Sequence, residues 1–256
     1  MLRTASFLLL LGASSGFGQT NAITITSAAS NSTDLAAESL ASALGSNLAP
    51  GTAIPSAPPW PTSLGGVHVQ VIDSGNVSRA AGLLFVSPTQ VNFQIPAGTA
   101  LGVAAVFLNN GSATFTAQVP VRPVAPALFA MDPSGTAAAT GIRVTLATGM
   151  QSSVPVFLCV DPAKGCQPVP IDVGVDAPVY LSFYGTGIRG RDQLSNVTVT
   201  IGSTNVAPLY AGPQEQFPGL DQVNVPLPLT LRGSGAVNVT VNANGVVSNP
   251  VKVQIQ

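Results

Sequence analysis

One ten-residue pattern occurs twice in this chain. SPTQVNFQIP occupies residues 87–96, and GLDQVNVPLP occupies residues 219–228. Each copy contains Gln-Val-Asn, an apolar residue directly after the Asn, and a proline four positions after the Asn. A pattern this specific, met twice in one chain, predicts a duplicated structural unit.

Five further pairs of segments surround the two copies, and their order is the same in both halves of the chain. The pairs are 44–51 with 184–190, 64–72 with 194–202, 82–88 with 207–213, 101–111 with 234–245, and 113–121 with 247–255. We therefore predict an internal duplication of a unit of about 90–100 residues.

Composition indicates the fold class of the unit. Charged residues make up 7% of the chain, against roughly 25% in ordinary soluble proteins. Hydrophobic residues make up 46%, alongside 26 Gly and 22 Pro. Six or seven short strands with turn residues between them fit each half, which is typical of an immunoglobulin-like sandwich. We predict an all-β chain with two tandem immunoglobulin-like β-sandwich domains, at residues 19–127 and 128–256.

Alternation along the repeated strands assigns their two faces. Apolar side chains are predicted to point into the core: Val91, Phe93 and Ile95 in one copy, Val223, Val225 and Leu227 in the other. The amides Gln90, Asn92, Gln222 and Asn224 then lie on the opposite face and are assigned a structural role. Our hypothesis is that each Asn bonds the backbone of the adjacent turn, after Pro88 or Pro213.

Four longer stretches carry a resemblance to a known family. They are PTSLGGVHVQV (61–71), LLFVSPTQVNFQIP (83–96), SFYGTGIRGRDQLSNVTVTIG (182–202) and LYAGPQEQFPGLDQVNVPLP (209–228). Over about residues 35–256 the chain resembles the Solibacter-type uncharacterised C-terminal domain family of exported bacterial proteins, which is related in pattern to IPT/TIG immunoglobulin-like domains. The resemblance implies export and a β-sandwich, and it implies no established activity.

The N-terminus predicts secretion. Arg3 precedes an apolar stretch at residues 5–11, and Gly16 and Gly18 fit a signal-peptidase site, so residues 1–18 form the predicted signal peptide and Gln19 the first mature residue. The stretch is far shorter than the roughly 20 apolar residues that span a bilayer. We predict a secreted protein, extracellular or periplasmic, without a membrane span. Its net charge of −1 gives no electrostatic reason to expect a nucleic-acid partner.

The two cysteines lie on either side of turn-forming residues. Cys159 and Cys166 belong to VFLCVDPAKGCQPVPI, in which DPAKG predicts the turn of a hairpin at about residues 154–172. A redox dithiol and a pair of metal ligands are the alternatives to a disulfide. The spacing does not fit C-x-x-C, and export favours oxidation, so we predict a disulfide-closed hairpin inserted in the second domain.

Residues 33–47, TDLAAESLASALGSN, are ambiguous. Their Ala, Leu and Glu content favours a helix, whereas the repeat register places a strand at about residues 39–44. We predict the strand, because pairing with neighbouring strands overrides weak helix propensity.

Candidate functional residues are few. His68 is the only histidine, and it is predicted to be an exposed strand residue. A catalytic triad or a His-based metal site would need partners that this single histidine does not have. We therefore assign no catalytic residue, metal site or cofactor. Trp60 in a Pro-rich loop, and Arg189 and Arg191 in GIRGRDQ, are the candidate binding residues. For Trp60 we favour packing against a sandwich edge, and for the arginines a solvated loop.

The function predicted from these features is a secreted, non-catalytic structural, adhesion or interaction module. Its partner would be another extracellular protein or a polysaccharide. A carbohydrate-binding module for extracellular polysaccharide is the alternative, and a secreted hydrolase comes third. Fold analogy alone does not decide among them.

Overall fold

The computed structural model describes residues 21–161 and 165–256. The chain is all-β, with 51% of residues in strands and 3% in helices, as its composition predicts. The predicted signal peptide lies outside the described residues.

The first half of the chain, from residue 21 onward, contains ten strands. They are β1 Asn21–Ala22, β2 Thr24–Ser27, β3 Leu35–Ala36, β4 Leu40–Leu44, β5 His68–Ile72, β6 Ser78–Ala80, β7 Gly82–Val86, β8 Gln90–Gln94, β9 Gly102–Asn109 and β10 Thr114–Arg122. One sheet has the order β2-β4-β8-β7, and the other has the order β1-β10-β9-β5-β6 with β3 also paired to β10.

Apart from residues 162–164, which are not described, the second half contains fourteen strands and two short 3-10 helices, Leu194–Asn196 and Leu229–Leu231. The strands are β11 Ala127–Leu128, β12 Ala139–Val144, β13 Gln151–Val154, β14 Phe157–Asp161, β15 Gly165–Pro168, β16 Pro170–Ile171, β17 Val179–Thr186, β18 Val197–Ile201, β19 Thr204–Val206, β20 Tyr210–Pro213, β21 Asp221–Pro226, β22 Gly235–Ala243, β23 Val246–Val247 and β24 Val251–Ile255.

Strand order repeats between the two halves, which we call the first and second repeats. β4-β8-β7 corresponds to β17-β21-β20, and β10-β9-β5-β6 corresponds to β24-β22-β18-β19. In each repeat a short strand pairs parallel with the last long strand, β1 and β3 with β10 and β16 with β24. The duplicated motifs therefore mark a duplicated topology.

Each repeat has its own buried core. In the first, Val91 and Phe93 of β8 belong to one buried cluster with Val69 and Val71 of β5, which lies in the other sheet. The second repeat has an equivalent cluster that includes Val223 of β21. The alternation predicted for β8 and β21 is confirmed, because their Val and Phe side chains are fully buried and their amides are partly exposed.

Three local predictions are confirmed. Residues 40–44 form strand β4, which pairs with β2 on one side and β8 on the other, so tertiary pairing prevails over helix propensity. His68 is exposed on β5. Cys159 and Cys166 form a disulfide within the two-stranded hairpin of β14 and β15.

Candidate functional site

Trp60 joins the two repeats. Its indole Nε1 donates a hydrogen bond of 2.8 Å to the carbonyl oxygen of Pro218 in the second repeat. The side chain lies over Gly82 on the edge strand β7, where an added Cβ would be 2.8 Å from the Cβ of Trp60. The half-buried ring thus covers a sheet edge of the first repeat, and its polar atom is engaged within the chain.

Arg189 is an ion-pairing residue at the same junction rather than part of a solvated basic loop. Its side chain is 11% exposed, and its Nε donates to the carboxylate of Asp221 at 2.7 Å. Its Nη1 lies 3.4 Å from Glu38 of the first repeat. Burial raises the pKa of Asp221, and the guanidinium of Arg189 and the backbone N–H of Ile188 oppose that rise. The Arg189–Asp221 ion pair could not be predicted from the sequence pattern, because Asp221 is distant from Arg189 along the chain.

The junction also contains a close backbone approach. Thr186 is fully buried; its Oγ1 accepts a bond from the N–H of Leu40 and donates one to the carbonyl of Gly219, each 2.8 Å long. Gly219 has a φ of +92°, and a side chain there would overlap Leu40. Glycine is therefore required at the first position of the repeated pattern's second copy.

The repeated amides bond one another rather than the adjacent turns. Asn92 Oδ1 accepts bonds of 2.8 Å from Gln90 Nε2 and from Ser42 Oγ, and Asn224 Oδ1 accepts one of 2.8 Å from Gln222 Nε2. The hypothesis of bonds to the turns after Pro88 and Pro213 is wrong. Residues two apart on a strand share a face, and the longer Gln side chain reaches the Asn first.

All three tyrosines of the chain surround the second amide pair. Tyr180 and Tyr184 alternate with buried residues of β17, and Tyr210 lies on the edge strand β20. Cross-strand pairing places Gln222 beside Tyr184, and places Asn224 between Ser182 and Tyr210. We call this set, Tyr180, Tyr184, Tyr210, Gln222 and Asn224, the tyrosine face.

The strand residues around the tyrosine face are uncharged. Ser182 and Pro226 lie between the five residues of the tyrosine face, and Thr140 and Ile142 border it on β12. The hydroxyl of Tyr210 donates to the carbonyl of Pro213 at 2.6 Å, and Thr140 Oγ1 lies 3.3 Å from the hydroxyl of Tyr184.

One end of the face deepens into a depression of about 350 Å³. It is lined by Tyr210, Pro213, Gln214, Glu215, Gln216, Gln222 and Asn224. Arg191 approaches the same end: a methyl group added at Gly212 would lie 3.1 Å from the Tyr210 hydroxyl and 3.8 Å from Arg191 Nη2. Of the candidate binding residues, Arg191 is thus the one beside this surface.

The first repeat provides a natural comparison. The register places Leu40, Leu44 and Phe85 where the second repeat has Tyr180, Tyr184 and Tyr210. Leu40 is buried against Gly219 of the second repeat, and Gln94 beside it bonds the carbonyl of Glu38. The equivalent face of the first repeat therefore has Leu and Phe at the three positions where the second has tyrosines, and it is partly covered by the junction, whereas the tyrosine face carries phenolic hydroxyls and is open.

A larger cleft of about 720 Å³ lies elsewhere at the junction. Its lining includes Asp34, Arg122, Val124, Asp192 and Val247. Asp34 and Arg122 pair with each other at 2.9 Å, and both are about half exposed. The carboxylate of Asp34 and the guanidinium of Arg122 thus satisfy each other within the cleft.

Within residues 21–161 and 165–256 no group of three His, Cys, Asp or Glu side chains is placed to hold a metal ion. Over the same residues no helix is long and apolar enough to cross a membrane.

Sequence reasoning missed the tyrosines. The signal was present in VYLSFYGT, whose alternation puts Tyr180 and Tyr184 on one face, and in the match of 82–88 with 207–213, which sets Tyr210 against Phe85. Bringing β17 and β20 to the two sides of β21 required the strand order, which only the structure supplies.

Comparisons with known proteins identify no family for this chain. No protein-family model matches it, and no curated protein does. Solved structures with partial likeness include an extracellular region of plexin A4 (10% identity, TM-score 0.28, 100% of this chain and 20% of that one). Another is SGBP-B from a complex xyloglucan utilization locus in Bacteroides uniformis (10% identity, TM-score 0.26, 92% of this chain and 49% of that one). A third is a protein described as a putative phosphatase from Bacteroides thetaiotaomicron (17% identity, TM-score 0.25, 50% of this chain and 20% of that one). The chain thus spans half or less of each.

Proposed function

We propose that this protein is a secreted, non-catalytic binding module that holds an extracellular partner on the tyrosine face. In this proposal its two repeats are immunoglobulin-like domains of the IPT/TIG kind, and the chain belongs with the Solibacter-type family that its motifs resemble. The disulfide of the hairpin supports an oxidising compartment.

The observation that carries the proposal is the contrast between the two repeats. Where the first repeat has Leu40, Leu44 and Phe85, the second has tyrosines. Each of these replacements adds a phenolic hydroxyl on an open surface. Tyrosine offers a large rigid ring with a polar end, and such residues concentrate at binding surfaces.

Swapping residues between the repeats tests the proposal. The triple variant Tyr180→Leu, Tyr184→Leu, Tyr210→Phe gives the second repeat the residues of the first. Labelled mature protein is mixed with intact cells and extracellular matrix of the producing organism, and the bound fraction is measured by co-sedimentation. We expect the triple variant to bind at least about tenfold more weakly than the parent, since a few aromatic residues dominate most interfaces.

The matched control is Leu44→Ala. Leu44 is the first-repeat counterpart of Tyr184, and it is 41% exposed. The control variant should leave binding unchanged, and thermal unfolding should show that both variants are folded. Equal binding by parent and triple variant, or no binding by the parent, would overturn the proposal.

A further inference from the structure

We infer that the tyrosine face binds a neutral polysaccharide, in an extended conformation across strands β17, β21 and β20. This inference rests on the proposed function and names the class of its ligand.

The rings suit a sugar. A pyranose presents apolar C–H surfaces that stack on aromatic rings, surrounded by hydroxyls that need hydrogen-bond partners. Tyr180, Tyr184 and Tyr210 are each partly exposed, so part of each side chain is accessible to a ligand. Aromatic side chains with a few placed polar groups are the usual composition of a small-molecule or sugar site.

Hydrogen-bonding capacity remains free in the middle of the face. The Gln222–Asn224 bond uses Gln222 Nε2 and Asn224 Oδ1, which leaves the Gln222 carbonyl oxygen as an acceptor and the Asn224 amide nitrogen as a donor. Among the described residues neither of these two atoms makes a hydrogen bond, and the hydroxyl of Ser182 makes none either. A free acceptor on Gln222 and a free donor on the neighbouring Asn224 together match sugar hydroxyls, which both donate and accept.

The shape suits a chain rather than a single compact ligand. Tyr180 and Tyr184 are four residues apart on β17, a separation of about 13 Å along the strand. Tyr210 lies two strands away, about 10 Å across the sheet. The tyrosines therefore surround an open surface wide enough for several sugar units, and the depression beside Tyr210 is only about 350 Å³.

The charge favours a neutral ligand. None of the strand residues that form or border the face is charged, from Thr140 and Ile142 on β12 to Tyr210 on β20. Arg191 and Glu215 lie at the Tyr210 end and have opposite signs. Such a surface has no net charge with which to attract an acidic polysaccharide.

The first experiment uses defined polysaccharides. Affinity gel electrophoresis of the mature chain in dextran, laminarin and glucomannan, with anionic alginate for comparison, measures binding directly. We expect at least one neutral polymer to retard the protein, with little change in retardation between about 0.05 M and about 0.5 M salt. The triple variant should require at least about tenfold more polymer for the same retardation. Retardation by alginate alone would overturn the inference.

Single variants separate the ring from the hydroxyl. Tyr180→Phe, Tyr184→Phe and Tyr210→Phe keep the stacking surface, so each should weaken retardation less than the triple variant does. Leu44→Ala again serves as the control that should match the parent.

The second experiment distinguishes failure of this inference from failure of the proposed function. The extracellular matrix of the producing organism is treated with protease or with periodate, which cleaves vicinal diols of sugars, before co-sedimentation. Binding that survives protease and is lost with periodate supports a polysaccharide ligand. Binding that is lost with protease identifies a protein partner and overturns the inference. The proposed function still stands in that case, provided that the triple variant binds more weakly than the parent. Binding that is equal for parent and triple variant overturns both.

Discussion

Asn92 and Asn224 occupy the same place in the two repeats but have different numbers of bonds. Asn92 Oδ1 accepts from Gln90 and from Ser42, whereas Asn224 Oδ1 accepts only from Gln222 among the described residues. Ser42 is buried, and its hydroxyl has no other partner there. At the residue scale, Asn92 therefore also satisfies a buried hydroxyl, whereas Asn224 has no such additional bond among the described residues.

Alanine substitutions measure this difference. Asn92→Ala should lower the free energy of unfolding by about 1–3 kcal/mol, because the buried Ser42 hydroxyl loses its acceptor. Asn224→Ala should cost about 0.5–1.5 kcal/mol, since it removes one bond at a partly exposed position. Urea unfolding monitored by fluorescence gives both values, and Asn224→Ala proving the more costly would contradict this account.

A second prediction at this scale concerns pH. The buried Asp73 accepts bonds from the backbone N–H groups of Ala100, Val77 and Gly75 and pairs with Arg79. These donors, led by Ala100, lower the pKa of Asp73 to about 2. A carboxyl whose pKa is lowered on folding contributes stability above its ordinary pKa, and that contribution is lost as the pH falls toward the folded value.

Asp73→Asn should therefore be less stable than the parent near neutral pH, and the difference should shrink between about pH 5 and about pH 2. Urea unfolding across that range measures it. Asp34→Asn is the control, because the exposed pair of Asp34 with Arg122 contributes only about 0–1 kcal/mol. A difference for Asp73→Asn that stays constant with pH would exclude the carboxylate as its source.

At the scale of elements, the strands and their buried faces follow from the sequence, because an alternation of Val with polar residues fits a strand with one buried face and fits few other structures. Strand β4 was predictable from the register of the repeats, and the hairpin from its turn residues. The contacts of Trp60 and Arg189 were not, because their partners Pro218 and Asp221 are far away in sequence and meet them only through the packing of the repeats. The tyrosine face likewise depends on strand order.

The hairpin of β14 and β15 forms its own two-stranded sheet, and it contacts the second repeat through Phe157, which packs against the core, and through the carbonyl of Cys166, which accepts a bond from Thr136 Oγ1. Its two strands pair with no other sheet among the described residues, and Leu158 and Val160 on it are more than half exposed. The Cys159→Ser, Cys166→Ser double variant should increase amide hydrogen exchange within residues 157–161 and 165–168, while the midpoint of thermal unfolding stays within a few degrees of the parent. A large fall in that midpoint would show that the hairpin is coupled to the core.

At the scale of the whole molecule, the two repeats are joined by contacts that differ in kind. The Trp60–Pro218 hydrogen bond and the Arg189–Glu38 ion pair lie in partly exposed surroundings, whereas the Thr186 hydroxyl is fully buried between Leu40 and Gly219. The same junction covers one end of the equivalent face of the first repeat, at Leu40, and leaves the tyrosine face open. The duplicated sheets have thus diverged, one toward contact between the repeats and one toward an exposed surface.

If this junction couples the repeats, Thr186→Val should weaken the coupling. Valine keeps nearly the same shape but leaves the Leu40 N–H and the Gly219 carbonyl without their partner, and each unsatisfied buried group costs about 1–3 kcal/mol. Calorimetry should show one cooperative transition for the parent, and a lower or divided transition for the variant. Thr140→Val makes the same replacement at an exposed position of the second repeat, and its cost should stay within about 0.5 kcal/mol. Equal melting of Thr186→Val and the parent would mean that the buried hydroxyl does not link the repeats.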